Sequence, residues 1–360
     1  MAIFPQKDDG RCPSTRTQRV FFLENPQAGS GHGHDRIQQA IAALRTADFA
    51  VSISRNCQEI VAAIAATPPD STAAVVTAGG DGTLRLAADQ LPATIPLVPF
   101  PLGTENLLAK HFGFTTSADE LLQTVSHGSL IRIDAATANG KLFLIMATCG
   151  FDAEVVRRMD QQRIGHIRHW HYIKPIIQTV RSYHYPSIVV TCPGAVVNQG
   201  DARSENVPFT PGKGGGNAAD LNKKSVLASV AGGRPEGPIT CRWAMFFNLP
   251  CYAGGLMIQP HADPADGQLD LCGLTRGSTF STLRYLTAVR YLRHLAGPDV
   301  LRYRSPQWAI CSDLPIPFQV DGDYGGMLPL TLECLPQRLT LRVPVGVTKP
   351  SPLPIVDTEG

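Results

Sequence analysis

Three glycine-containing segments of the chain could lie against a phosphate, and each one follows a predicted strand. The segments are Asn25–Gly31 (NPQAGSG), Thr77–Thr83 (TAGGDGT) and Pro101–Asn106 (PLGTEN). Glycine leaves the backbone N–H groups open to an anion, and a helix that begins after the loop adds partial positive charge. The carboxyl ends of neighbouring parallel strands meet in one crevice, where open α/β sheets bind ligands. The spacing therefore predicts one phosphate site built by three loops.

The middle segment also holds a carboxylate, Asp81, between its glycines. Phosphate groups would repel Asp81 unless a divalent cation lies between them or unless the carboxylate acts on the group that accepts the phosphate. A tight turn that Asp81 merely caps is the structural alternative.

The elements that must position these loops alternate along residues 19–127. Apolar runs such as Thr72–Thr77 are separated by helical patterns such as Arg36–Leu44, which is typical of a parallel sheet covered on both faces. From about Leu130 the pattern becomes mainly β, with helical stretches near 152–183 and 278–296. Asn139-Gly140, between two alternating apolar runs, predicts a hairpin because both turn positions need a positive φ.

Composition narrows the class of protein. A chain of 360 residues indicates two domains, and 43% hydrophobic with 17% charged residues excludes global disorder. The net charge of +2 argues against a nucleic-acid partner. Nine scattered cysteines without a C-x-x-C pair indicate free thiols, and neither a signal peptide nor an 18-residue apolar run is present in the sequence. We therefore expect a cytoplasmic protein.

Several motifs, taken in order, resemble the diacylglycerol kinase catalytic domain family, which includes bacterial lipid kinases and sphingosine and ceramide kinases. G-G-D-G-T is followed by P-L-G-T-x-N, and the later matches are Gly150–Val155 (GFDAEV), Asp266–Leu271 (DGQLDL) and Val320–Asp323 (VDGD). The resemblance implies an α/β protein with an N-terminal Rossmann-like parallel-sheet nucleotide domain and a C-terminal antiparallel β-sandwich domain.

The same resemblance implies the domain boundaries. A disordered tail (1–17) precedes a nucleotide-binding domain (18–128), to which a segment at about 340–348 returns. A β-rich lipid-substrate domain (129–339) contains a flexible insertion (196–238), and a tail (349–360) follows.

The implied activity is transfer of the γ-phosphoryl group of ATP, with Mg²⁺, to the hydroxyl of a membrane lipid, diacylglycerol or a relative. Asp323 is the implied base, together with Asp81 as a catalytic residue. The implied magnesium residues are Asp263, Asp266 and Gln268. The implied nucleotide-binding residues are Asn25, Gly29, Ser30, Thr77, Gly79, Gly80, Asp81, Gly82, Thr83, Gly103, Thr104 and Asn106.

The chain departs from the family pattern at three motifs; in one of them, the loop that usually reads T-x-N-D, Asn106 is followed by Leu107. Bacterial members usually have Asn-Glu where this chain has Arg85-Leu86, and many have Glu where this chain has Asp323. A base that is one methylene shorter has less reach but the same chemistry.

Two basic segments with interleaved aromatic residues indicate how a lipid could be reached. Residues 161–200 and 271–298 contain no acidic residue and four arginines or lysines each. Such segments suit peripheral contact with an anionic membrane surface, although solvated helices give the same pattern. A homodimer is left open.

Three functions are consistent with the sequence. The first is an ATP-dependent lipid kinase, and the second is an NAD-kinase-like kinase of a soluble nucleotide, since NAD kinases share a G-G-D-G-T loop. The third is a non-catalytic nucleotide or lipid-binding regulator, which the altered Arg85-Leu86 pair suggests.

Overall fold

The structure is a computed structural model that describes residues 18–26, 28, 33–68, 70–161, 170–193, 233–252, 255–290 and 297–347. The predicted tails and most of the predicted insertion at 196–238 lie outside these residues. No helix in the described ranges is both long and apolar enough to span a membrane.

The first third of the chain forms a parallel sheet whose strands lie in the order β2-β1-β3-β4. Its strands are β1 (Arg19–Glu24), β2 (Ala50–Ser54), β3 (Thr72–Gly79) and β4 (Pro96–Pro101). All residues of β3 except the first are buried, as expected for a strand covered on both faces. The helices are α1 (Gly33–Thr46), α2 (Cys57–Ala65), α3 (Asp81–Gln90), α4 (Leu107–His111) and α5 (Ala118–His127).

The rest of the described chain is mainly antiparallel β-structure. The strands are β5 (Ser129–Ala138), β6 (Lys141–Phe143), β7 (Met146–Cys149), β8 (Ile188–Thr191), β9 (Ile239–Cys241), β10 (Trp243–Phe247), β11 (Cys251–Tyr252), β12 (Leu256–Met257), β13 (Leu269–Leu274), β14 (Val300–Ser305), β15 (Gln307–Cys311), β16 (Pro317–Val320), β17 (Asp323–Met327) and β18 (Leu330–Val343). Three further helices are α6 (Phe151–Gln161), α7 (Trp170–Ser182) and α8 (Thr279–Arg290). The predicted Asn139-Gly140 hairpin is confirmed, because φ is 49° and 81° at its two residues and Ala138 pairs with Lys141.

Strand β18 joins the two halves of the molecule. Residues Thr340–Leu341 pair in parallel with Pro96–Leu97 of β4, while the strand pairs antiparallel with β5 and β15. The parallel sheet therefore continues into one face of the sandwich. The other face is a separate antiparallel sheet in the order β14-β13-β10-β7-β16-β17.

The sandwich core lies between these two faces. Trp308 of β15 and Phe246 of β10 are fully buried, with ring centroids 5.5 Å apart. Such tilted aromatic packing fills the layer between two sheets. The predicted fold class, a parallel-sheet domain followed by an antiparallel β-sandwich, is confirmed.

The junction made by β18 can be tested at Leu341. Its side chain is fully buried, and its backbone pairs with Leu97 on one side and Ile131 on the other. We expect Leu341→Ala to lower the free energy of unfolding by about 2–5 kcal/mol, because the truncation leaves a cavity. Denaturant unfolding measures this change. Leu314→Ala is the matched control, because Leu314 is exposed and its truncation should cost less than about 0.5 kcal/mol. Equal effects would contradict this role of Leu341.

Candidate active site

The second and third glycine loops interlock at the carboxyl ends of β3 and β4. The backbone N–H groups of Leu102 and Gly103 donate to Gly79 O at 2.8 and 3.3 Å. A Cβ placed on Gly103 would lie 2.6 Å from Gly80 Cα, so only glycine fits there. Asn106 closes the third loop, since its side chain accepts from Gly103 N and donates to Gly103 O.

The first loop contacts the second through Asn25. Its Nδ2 donates to Thr83 Oγ1 at 3.2 Å, and its backbone N–H donates to Ala78 O at 3.0 Å. The structure therefore brings the described parts of all three predicted loops together. Gly29 and Ser30 lie outside the described residues. Thr104 is exposed, whereas Thr77 is buried inside β3.

The start of α3 is suited to an anion. Its N-cap residue is Gly80, and no side chain caps the first turn. Uncapped N–H groups at the start of a ten-residue helix attract phosphate through hydrogen bonds and the helix dipole. Gly82 is exposed and a Cβ there would contact nothing within 4 Å. These features fit the phosphates of a nucleotide.

Asp81 is the first residue of α3, and its carboxylate is fixed by the backbone at the start of α4, just after the third loop. Oδ2 accepts from Leu107 N at 2.8 Å and Oδ1 from Leu108 N at 3.2 Å. Burial raises its pKa to about 6 against these two bonds, and the charge of Asp321 adds to the rise. A carboxylate with a pKa near neutrality can both hold and release a proton under working conditions.

A cavity of about 370 Å³ lies between the two halves of the molecule, and we call it the apolar cavity. Leu107 and Asp81 line it from the nucleotide side, and Met146, Phe151 and Trp243 are among the residues that line it from the sandwich side. Its surface is mostly apolar, which is typical of a site for a small organic group. Four carboxylates also reach its wall, those of Asp81, Glu105, Asp152 and Asp321.

The V-D-G-D motif forms a tight turn between β16 and β17, with positive φ at Asp321 and Gly322. We call residues 321–323 the acidic turn. The Asp321 carboxylate accepts from three backbone N–H groups, those of Leu144, Ile145 and Met146, at 2.9–3.0 Å. Burial still raises the pKa of Asp321 above its ordinary value. The turn is therefore anchored through a carboxylate that lines the apolar cavity.

Asp323 points elsewhere. Its Oδ2 accepts from Arg85 Nη2 of α3 at 3.0 Å, and the side chain is 51% exposed. Both residues line a second cavity of about 600 Å³, which also contains Lys141 and which we call the charged cavity. The structure thus brings Asp321, not Asp323, into the wall that contains Asp81. That Asp323 is the base stays a prediction.

Arg85 and Asp152 are two residues whose contacts sequence reasoning missed. Arg85 was singled out only as a departure from the family pattern, and 238 residues separate it from its partner. Asp152 is buried and accepts from Trp243 Nε1 at 2.7 Å and from Tyr252 Oη at 3.0 Å. The only available signal for Asp152 was its place in the G-F-D-A-E-V motif.

The predicted magnesium residues lie in the loop before β13. Asp263 and Asp266 each accept a backbone N–H of this loop, those of Ala265 and Gln268 respectively. Arg304 lies 3.7 Å from Asp266, whose pKa burial raises to about 6. Among the residues that the structure describes, no three His, Cys, Asp or Glu side chains could hold a metal ion. The donors are oxygens and fit Mg²⁺ if backbone or water oxygens complete the shell. The magnesium site stays a prediction.

Comparison with known proteins decides the family. Residues 19–138 match the diacylglycerol kinase catalytic domain, and residues 145–343 match the YegS C-terminal NAD kinase beta sandwich-like domain. The chain belongs to the diacylglycerol kinase family. Because this is a kinase family, membership supports a phosphotransferase. This agrees with the first of the three predicted functions, a lipid kinase.

Named relatives cover nearly the whole chain. The diacylglycerol kinase of Mycobacterium tuberculosis H37Rv is 27% identical over 339 residues, which cover 91% of this chain and 95% of the relative. A "Probable lipid kinase YegS-like" protein of Shewanella frigidimarina is 22% identical and covers 86% and 89%. A diacylglycerol kinase structure from Bacillus anthracis superposes with a TM-score of 0.59 at 18% identity, covering 93% and 100%, and this likeness supports the fold.

The buried carboxylate of Asp81 should leave a pH signature on stability. Its pKa of about 6 in the folded protein exceeds the ordinary 3.8, so its contribution is fully present below about pH 4 and is lost as pH rises through 6. At about 1.4 kcal/mol per pKa unit, the wild type should lose on the order of 3 kcal/mol relative to Asp81→Asn. Urea unfolding of both proteins between pH 4 and 7 measures this. A difference independent of pH would contradict it, and titrating groups that do not interact with Asp81 cancel in the comparison.

Proposed function

We propose that the protein transfers the γ-phosphoryl group of ATP to the hydroxyl of a membrane lipid, diacylglycerol or a related lipid. The observation that carries this proposal is the apolar cavity, which has the carboxylates of Asp81 and Asp321 in its wall. An acyl chain needs an apolar wall, and a reacting hydroxyl needs a proton acceptor. Family membership and the names of the relatives support both halves of the proposal.

ATP binds at the three interlocked loops in this proposal. The phosphates lie against the uncapped start of α3, where Gly80 and Gly82 let the backbone approach. Mg²⁺ bound beside the phosphates would supply positive charge that offsets theirs. The loop of Asp263, Asp266 and Gln268, which lines neither cavity, is a separate proposed magnesium site. Phosphoryl transfer depends mainly on such positioning and charge, so the chain needs no covalent intermediate.

The proton of the lipid hydroxyl goes to a carboxylate. Asp81 lines the apolar cavity and is ionised above about pH 6, so it can accept a proton at neutral pH. Asp323 is the second proposed catalytic residue, and it would reach the hydroxyl only after its ion pair with Arg85 opens. The carboxylate of Asp321 accepts hydrogen bonds from three backbone N–H groups, so in this proposal it anchors the acidic turn and takes no proton.

Transfer is tested with ATP that is labelled in the γ-phosphate and with an extracted membrane lipid pool. We expect the label in a phosphorylated lipid, which chromatography then identifies. Asp81→Asn should abolish the transfer because the carboxylate in the loop is lost, while Asp323→Ala should lower turnover at least about 10²-fold, the usual value of a positioned base. ATP binding by Asp323→Ala is the control and should change little, because Asp323 lies outside the glycine loops.

Each alternative gives a different result in this assay. Label in a soluble nucleotide would indicate an NAD-kinase-like activity, and bound ATP without transfer to any acceptor would indicate a regulator. Unchanged turnover in Asp323→Ala would leave Asp81 as the proton acceptor and remove Asp323 from the chemistry.

Peripheral contact with an anionic membrane is part of the same proposal. Arg157, Arg158 and Arg181 line one shallow cleft on α6 and α7. The neighbouring helix α8 is held to α7 by the bond from Thr279 Oγ1 to Val180 O at 3.0 Å. Basic side chains attract anionic lipid headgroups.

Apolar side chains next to this cleft support the same surface. Phe280 and Leu283 of α8 are 77% and 61% exposed, and Ile177 of α7 is 47% exposed. Ile176 is both partly exposed and part of the lining of the apolar cavity. A lipid that leaves the membrane here would therefore start at the edge of the proposed acceptor site.

Vesicle binding tests the membrane contact. Each basic residue near an anionic surface contributes about 1 kcal/mol, so the charge reversal Arg181→Glu should weaken binding by roughly 30-fold. Arg45→Glu, on α1, changes the net charge equally and should have little effect. Sedimentation with vesicles of mixed neutral and anionic lipid gives the affinity. Salt at 0.5 M should weaken the binding of the wild type, because it shortens the screening length, which is only about 8 Å even at physiological salt. Equal losses in the two variants would mean that α7 is an ordinary solvated helix.

A further inference from the structure

The aspartate of the G-F-D-A-E-V motif has no role in the chemistry described so far. Asp152 is 6% exposed, and burial raises its pKa above the ordinary value. Its carboxylate accepts from Thr148 Oγ1, Trp243 Nε1, Tyr252 Oη, Gln319 Nε2 and the backbone N–H of Ala153. A carboxylate with so many protein donors orients its neighbours.

Gln319 of β16 connects this carboxylate to the acidic turn. Its Nε2 donates to Thr148 Oγ1 at 3.0 Å and to Asp152 Oδ2 at 3.4 Å, and its Oε1 accepts from Gly322 N at 2.8 Å. The backbone N–H of Gly322 can only donate, so it requires the carbonyl end of the amide on its side. The NH₂ end is then left for Thr148 and Asp152. Gln319 is 1% exposed, so water cannot replace either bond without cost.

Gly322 is the central residue of the acidic turn. Its φ of 87° and the φ of 48° at Asp321 belong to a conformation that non-glycine residues rarely adopt without support. On one side of Gly322, Asp321 lines the apolar cavity, and on the other side Asp323 reaches Arg85 in the charged cavity. A shift at Gly322 would therefore move both carboxylates.

We infer that Asp152 and Gln319 are positioning residues, which hold the acidic turn through Gly322 and thereby fix where Asp321 and Asp323 point. The inference rests on the proposed function for its effect on turnover, but not for its structural part. Displacing a reacting group by about 1 Å can cost about 10²-fold in rate. Neither residue belongs to the glycine loops, so the loss should appear in kcat while KM for ATP changes little.

Exchanging the amide and the carboxylate between positions 319 and 152 tests this inference directly. Gln319→Glu places a second carboxylate against Asp152, and the two repel each other. Asp152→Asn together with Gln319→Glu restores one amide and one carboxylate in opposite order. The amide introduced at position 152 can then donate to the carboxylate introduced at position 319, and that carboxylate can still accept from the backbone N–H of Gly322. Hydroxyl groups donate or accept equally well, so Thr148 and Tyr252 can adapt to the exchange.

We expect Gln319→Glu to lower kcat about 10²-fold and the double variant to recover at least about tenfold of that loss. A purely structural role would lower the stability of Gln319→Glu but leave kcat of the folded protein unchanged. If Gln319→Glu fails to fold, hydrogen exchange at the Gly322 amide in Gln319→Leu decides the inference instead. A double variant no better than Gln319→Glu in kcat overturns it.

Hydrogen exchange at the Gly322 amide gives a readout that does not depend on activity. Gln319→Leu removes the acceptor, so exchange at Gly322 should accelerate by at least about tenfold, while the double variant should keep the protection. Gln259→Glu is the matched control, because Gln259 is also buried and donates to a buried aspartate, Asp270, at 3.0 Å. It should cost stability but leave exchange at Gly322 unchanged.

The turnover assay and the hydrogen-exchange measurement together separate the inference from the proposed function. If the wild type phosphorylates no lipid, the proposed function fails, and exchange at Gly322 still decides whether Gln319 holds the turn. If lipid is phosphorylated but Gln319→Leu leaves Gly322 protected, the proposed function stands and the positioning role is wrong.

Discussion

The pairing of β18 with strands of both halves is the constraint on which the active site depends. Its last residues extend the parallel sheet beside β4, while its first residues lie between β5 and β15 in the sandwich. The crevice at the end of the parallel strands therefore has a second wall that cannot rotate away independently. The acidic turn at the end of β16 belongs to that wall, and it faces the start of α3. A site shared between domains needs such a fixed relation, because each half carries only part of the chemistry.

Burying carboxylates in an apolar wall has a free-energy cost that backbone N–H groups partly offset. Asp81 has two such bonds, and Asp321 has three. In both, burial still prevails and the pKa is raised. Their mutual repulsion adds to the rise at Asp81. Asp81 therefore has a pKa of about 6, whereas the carboxylate of Asp321 accepts from three backbone N–H groups that anchor the acidic turn. The two similar side chains thus differ in what they can do.

The sequence predicted the parallel strands, the hairpin and the convergence of the loops because these features depend on local patterns. Apolar runs indicate buried strands, and Asn139-Gly140 specifies its own turn. The Asp152–Gln319 bond and the Arg85–Asp323 pair join residues that are 167 and 238 positions apart, and no periodicity encodes such contacts. Sequence reasoning also expected the last segment to return to the first domain, but it could not show that one strand would pair with strands of both domains. Motifs give the parts of a site, whereas tertiary packing decides which parts meet.

Arg85 and Asp323, two residues that depart from the family pattern, form an ion pair with each other in the structure. Arg85 adds a charge where bacterial members usually have Asn, and Asp323 is one methylene shorter than the usual Glu. The ion pair between them is partly exposed and contributes at most about 1 kcal/mol, so it does not hold the domains together. The ion pair instead sets the orientation of the Asp323 side chain, which it holds toward the charged cavity. It also places a positive charge near Asp321. The proposed transfer step therefore requires this weak pair to open before Asp323 can reach a lipid hydroxyl, whereas Asp81 already lines the apolar cavity.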